Sequence, residues 1–159
     1  MSAALGAGFR ERIAADLPVQ AIAFELGGET HACDVLLVEE VVTGRRIHPL
    51  PDMPPRLLGV VRLRGELIPV IDVAPLLSLA LDRGRLSTIL VLEADERRVG
   101  VAADYVRDVV TFPPGVLRPA PGSDAYVAAV AHMDGTLYTL VDLAEILREQ
   151  TTLSPREPT

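Results

Sequence analysis

The sequence predicts an all-β protein built from two small packed β-barrels related by internal duplication, with short helices, one of them near the C-terminus. Three observations carry this. Short β-branched runs alternate with tight-turn signals along most of the chain. Two long segments superimpose on later segments of the same chain. Hydrophobic residues make up 49% of the 159 residues and aromatics only 4%, with no tryptophan, so the core must be mostly Val, Leu, Ile and Ala. Small barrels suit such a chain because closure removes the open strand edges that otherwise aggregate.

Taken in order, residues 1–18 form an N-terminal tail, frayed or carrying a short helix. QAIAFEL (20–26) alternates and runs into Gly27-Gly28, a turn. THACDVLLVEEVV (30–42) reads as strand, and GRRIHPLPDMPP (44–55) as a proline-rich loop. LLGVVRL (57–63) and ELIPVIDV (66–73) flank Arg64-Gly65, which reads as a two-residue hairpin link. Pro69 cannot donate to a ladder, so its strand is expected at an edge or at a bulge. STILVLEA (87–94) and RRVGVAAD (97–104) make a hairpin around Asp95-Glu96, and YVRDVV (105–110) continues as strand. After a second proline-rich loop (113–124), YVAAVAHM (126–133) and TLYTLVDL (136–143) flank Asp134-Gly135. AEILREQ (144–150) is a closing helix, and TTLSPREPT (151–159) a disordered tail.

Sliding the chain by 68 residues lays 24–43 over 92–111, with Val41-Val42-Thr43 on Val109-Val110-Thr111. Sliding it by 70 lays 57–77 over 127–147, with Gly65 on Gly135, Leu67 on Leu137 and Asp72 on Asp142. Matched valines are common by chance among strands; matched turn glycines and aspartates are not. The organisation expected is one domain over 19–150, holding two intertwined barrels from duplicated segments 24–77 and 92–147.

Composition also excludes. The formal net charge is −7 and all 15 basic residues are arginine, a poor fit to nucleic acid or an anionic membrane. The scarcity of aromatics removes the stacking platform of a single-strand binder. The N-terminus lacks the basic start and apolar stretch of a signal peptide, and no run is long enough to span a bilayer. The expected location is cytoplasmic, without membrane insertion.

Candidate chemistry is sparse. His31, Cys33 and Asp34 are the one nucleophile-like or metal-like cluster, and they support an alternative reading: a small cysteine-dependent hydrolase or metal enzyme using Cys33 and His31. Zinc would need further ligands, and His48 and His132 stand apart. A hydrolase would need an oriented base and an oxyanion site. Cys33 fits better as a small hydrophobe. No cofactor motif occurs; Gly27-Gly28 lacks the helix and lysine of a phosphate loop. Gly59, Gly65, Gly135 and Pro69 read as backbone devices, and Asp72 and Asp142 as caps of short helical turns. Arg64 is either a solvated turn residue or a guanidinium fork offered to a partner's carboxylates or carbonyls. The second copy has Asp134 there, so folding of the unit does not require arginine at that turn.

The segment LLGVVRLRGELIPVIDVAPLL, with CDVLLVEEV, VGVAADYVRDVV, LRPAP and DGTLYTLVDLAEIL around it, resembles the CheW family of chemotaxis coupling proteins from about Ala21 to Leu147. His31-Ala32, His132-Met133 and the compact link 79–87 depart from the commoner pattern. The resemblance implies two five-stranded SH3-like barrels side by side. It implies a non-enzymatic adaptor joining the cytoplasmic tip of a chemoreceptor coiled coil to the regulatory domain of a histidine kinase, in arrays at the inner membrane. It also implies that Arg64, Glu40, Val38, Val35 and Gly65 meet partners.

Overall fold

The computed structural model describes residues 8–79, 88–120 and 125–149. Two sheets dominate it. One has six strands in the order β8–β1–β2–β11–β10–β9: β1 (Val19–Leu26), β2 (Glu29–Asp34), β8 (Tyr105–Phe112), β9 (Leu117–Pro119), β10 (Val127–Met133) and β11 (Thr136–Val141). The other has five in the order β3–β6–β7–β5–β4: β3 (Val38–Thr43), β4 (Leu57–Leu63), β5 (Glu66–Ile71), β6 (Thr88–Ala94) and β7 (Arg97–Ala103). These are the two SH3-like barrels, and the short β9 makes the first six-stranded rather than five.

Tight turns make the hairpins. Gly27-Gly28, Arg64-Gly65, Asp95-Glu96 and Asp134-Gly135 all hold positive φ at both positions. This is the mirror-image turn whose twist matches that of the flanking strands.

The registers repeat at the offsets seen in the sequence. Val41 faces Leu90 as Val109 faces Ile22, offset by 68. Val60 faces Pro69 as Val130 faces Thr139, offset by 70. Even the register shifts match, between Leu57 and Gly59 in one hairpin and between Val127 and Ala129 in the other.

Each barrel nevertheless takes its first hairpin from one repeat and the remaining strands from the other. The run 30–42 breaks at a 3-10 turn, Val35–Leu37, capped where the Leu36 N–H donates to Asp34 Oδ1 at 3.1 Å. That turn carries the chain from the first sheet to the second. Asp104 returns it: its N–H donates to the Glu25 carbonyl at 3.0 Å, and its Oδ2 accepts from Gly27 N–H at 3.2 Å. The second barrel, 38–103, is therefore nested within the first.

Three apolar clusters follow from this. One fills each barrel. The third lies between them and draws Phe24, Cys33, Leu90, Val101, Val141 and Ile146 from both sheets. Helix α1 (Phe9–Ala14) lies in the N-terminal tail, and its Phe9 is only 6% exposed, packed into the first barrel's core. Arg10 Nε donates to Asp142 Oδ2 at 2.8 Å, and Arg12 pairs with Asp34. Helix α2 (Leu143–Glu149) closes the chain, and Asp142 Oδ1 accepts from Glu145 N–H at 3.1 Å at its start. Asp72 Oδ1 accepts from Ala74 N–H at 3.1 Å before the 3-10 turn Ala74–Leu77. Asp142 thus meets the backbone at the start of its helix, whereas the N-cap of the 3-10 turn is Val73 and Asp72 bonds from one residue further out.

Pro69 needs a correction. Its strand, β5, is interior, between β7 and β4. Val60, opposite Pro69, exchanges both its backbone bonds with His48, at 2.8 and 2.9 Å. Pro69 therefore turns its nitrogen toward β7, where the parallel ladder starts only at Val70. No donor is required there. The bulge belongs to β4, at Leu58, one residue pair away. The tail 151–159 and most of the link 79–87 lie outside the described residues.

Candidate partner-binding face

Of the residues singled out in the sequence, Arg64, Gly65 and Glu40 come together at one end of the nested barrel, while Val35 lies in the 3-10 turn and Val38 packs against the cluster between the barrels. Arg64 takes the first position of the β4–β5 turn with φ +51°, and Gly65 the second with φ +81°. A long side chain rarely adopts the left-handed region, which favours Gly, Asn and Asp. The turn throws the guanidinium outward, where it stays 63% exposed, and β3 brings Glu40 to meet it. Arg64 Nη1 donates to Glu40 Oε2 at 3.3 Å and Nη2 to Oε1, a two-pronged pair. The hydrogen bond from Arg64, then its charge, holds the Glu40 carboxyl below its ordinary range, and the same bond raises Arg64.

Glu39 is the extra residue of a bulge in β3, between Val38 and Glu40. A bulge frees neighbouring side chains from strict alternation. Glu40 therefore reaches Arg64 while Glu39 reaches Arg98, whose Nε donates to Glu39 Oε1 at 2.7 Å. Arg98 also pairs with Glu66, just beyond the turn. The result is a lattice of charges over three strands and one turn, anchored on rigid elements.

Val35 and Val38 are half-buried, and Val38 leans on the cluster between the barrels. The exposed apolar neighbours are different residues: Leu36 at 52%, Val41 at 38% and Leu67 at 55%. Strand alternation shifted by the bulge and the 3-10 turn hid this from the sequence. Val41 follows Glu40 on β3 and Leu67 follows Glu66 on β5, each an exposed apolar residue next in the chain to one of the charges.

Sequence reading also missed a groove of about 300 Å³ beside Arg64, lined by Arg45, Arg46, His48, Val61, Arg62, Arg64 and Gly65. The signal was present as the Arg45-Arg46 pair, but only the fold brings that loop against β4. Gly59 permits the approach: a Cβ there would lie 2.4 Å from the His48 carbonyl oxygen.

Cys33 is fully buried in the cluster between the barrels, and burial, then Asp34, raises its thiol far above the range where thiolate forms. His31 is buried and stacked on Phe24, with ring centroids 5.6 Å apart. Its Nδ1 lies 3.1 Å from the Glu29 carbonyl, and burial lowers its basicity. Among the described residues no group of three or more His, Cys, Asp or Glu could hold a metal ion. Cys33 and His31 are packing residues. A thiol-labelling reagent should modify the native protein at least ~100-fold more slowly than the denatured chain; rapid native labelling would reopen the chemistry.

The matching positions of the first barrel differ in chemistry. At the offsets of 68 and 70, Asp108 stands for Glu40 and Asp134 for Arg64. The same backbone thus carries two carboxylates where its twin carries an ion pair.

A family profile described as CheW-like domain matches residues 20–151. The chemotaxis protein CheW of Rhizobium meliloti is 28% identical over 131 residues, covering 79% of this chain and 84% of that one. The chemotaxis protein CheW of Thermotoga maritima is 28% identical, covering 83% and 89%. Among solved structures, the scaffolding protein TtCheW from Thermoanaerobacter tengcongensis superimposes with a TM-score of 0.70 at 27% identity, covering 79% of this chain and 89% of that one.

Proposed function

The chain belongs to the CheW-like family, and from that membership we propose that it is a non-catalytic coupling adaptor of a chemotaxis array, joining chemoreceptors to a histidine kinase. The observation that carries the residue assignment is the two-pronged Arg64–Glu40 pair at a turn where arginine is conformationally disfavoured. Its twin turn uses Asp134. Arginine at that turn is kept for what it presents.

The contact residues proposed are Arg64, Glu40, Val38, Val35 and Gly65, with Val41 and Leu67 as the exposed apolar element. Partner carboxylates or carbonyls would take the guanidinium fork, and the apolar side chains would fill a small pocket within a polar rim. Glu40 holds Arg64 in place in the free protein, so less side-chain freedom is lost on docking. The partners proposed are the regulatory domain of a histidine kinase and the cytoplasmic tip of a receptor coiled coil. The location proposed is the cytoplasmic face of the inner membrane, held there by those partners. No helix among the described residues is long and apolar enough to cross a membrane. The domain proposed spans 19–150.

Purified protein immobilised on a resin and exposed to lysate of its native source should retain a histidine kinase and a chemoreceptor together. Retention of neither would end the coupling reading.

A further inference from the structure

The groove beside Arg64 lies between the loop that carries Arg45 and Arg46 and strand β4. Its lining holds four guanidinium groups, an imidazole and no carboxylate, in a chain of net charge −7. Glu40, at its rim, is engaged by Arg64. Arg45 donates weakly to the Arg62 carbonyl at 3.4 Å, and neither Arg46 nor Arg62 forms an ion pair among the described residues. Like charges gathered around one groove repel, and among the described residues Arg64 alone of the four forms an ion pair, with Glu40, whose carboxylate also feels the charge of Arg45.

The groove is also held in shape. Arg62, on β4, and Arg64, in the turn that follows it, both line the groove. The loop bearing Arg45 and Arg46 is fastened by the paired His48–Val60 backbone bonds at 2.8 and 2.9 Å. A preset cluster of guanidinium forks matches a ligand whose charged oxygens are equally clustered.

We propose that this groove binds an oligophosphate, a diphosphate or triphosphate group, through Arg45, Arg46, Arg62 and Arg64. Phosphate fits better than an acidic peptide because carboxylates along a chain bring one charge each at separated points, whereas phosphoryl groups concentrate several within the volume available. The lining has no Phe, Tyr or Trp, and its guanidinium groups suit phosphate oxygens. Binding draws Arg64 away from Glu40, which places the ligand in competition with any partner that uses Arg64. The site stands or falls without reference to the coupling role, because its test involves no partner protein.

The test is calorimetric titration of the full chain with sodium tripolyphosphate and with pyrophosphate at constant ionic strength. Saturable binding at one site is expected, weakened at least tenfold by the double variant Arg46→Glu/Arg62→Glu and unchanged by Arg118→Glu, an exposed arginine on β9. Circular dichroism checks that the variants fold. No saturable heat, or equal weakening by Arg118→Glu, overturns the site. So does a decaglutamate peptide that binds as tightly as tripolyphosphate, which would give the groove to acidic protein segments instead.

Discussion

Replacing Arg64 with asparagine should make the protein more stable and less useful. Asparagine tolerates the left-handed conformation that Arg64 holds at φ +51°. The ion pair lost with Glu40 is solvent-exposed, and such pairs contribute little to stability. The two effects together should raise Tm by about 2 °C. Capture of kinase and receptor should fall at least tenfold, since a desolvated guanidinium pair at the centre of a contact dominates its energy. Arg64→Lys should not restore capture, because an ammonium cannot make the two-pronged contact. Measuring melting curves and pull-down on the same preparations separates turn from contact. If Arg64→Asn captures both partners as wild type does, Arg64 is a turn residue and nothing more.

Gly59→Ala should be the most damaging single methyl in the nested barrel. Gly59 has φ +151°, and an added Cβ would lie 2.4 Å from the His48 carbonyl oxygen and 2.8 Å from its carbon. Those are backbone atoms of a loop fastened to Val60, so relief requires breaking two hydrogen bonds or shifting β4. Backbone strain and the displaced loop together should cost about 3 kcal/mol, or roughly 6–12 °C in Tm. Gly115→Ala is the control: its φ is +87°, but a Cβ there meets nothing within 4 Å. Equal losses in the two variants would mean that φ strain alone matters and that the close approach to His48 does not. The groove should suffer with the fold, because Arg45 and Arg46 ride on the same loop.

Much of this was legible beforehand for physical reasons. Turn chemistry is local, so Gly27-Gly28, Arg64-Gly65 and Asp134-Gly135 announce their hairpins. The repeat offsets fixed equivalent positions closely enough that the ladder registers match them. Strand pairing is not local. Period-two alternation shows which face is buried but not which hairpin lies alongside, so the exchange of first hairpins between repeats was beyond reach. Pro69 misled for the same reason: its unpaired nitrogen faces a ladder that has not yet begun, a circumstance that depends on β7, some thirty residues on. The N-terminal segment reads equally as tail or helix, because one phenylalanine in a small-residue stretch does not reveal that it packs into a barrel core. The site was half visible. Arg64 and Glu40 were found one by one, but Arg45, Arg46 and Arg62 gained meaning only once the proline-rich loop folded against β4.

The nesting of one barrel in the other sets an order of assembly on the ribosome. All strands of the inner barrel are present once Ala103 has emerged, and with them Arg64, Glu40 and the arginine groove. The β1–β2 hairpin must wait with both edges bare. β8 reaches one of them first, and β11 reaches the other only when Thr139 comes to lie beside His31. Pairings so distant in the chain close slowly and leave edges exposed meanwhile. The end of the molecule that carries Arg64 and Glu40 is thus built early and locally, while the other barrel is completed last, by the final strand to be synthesised.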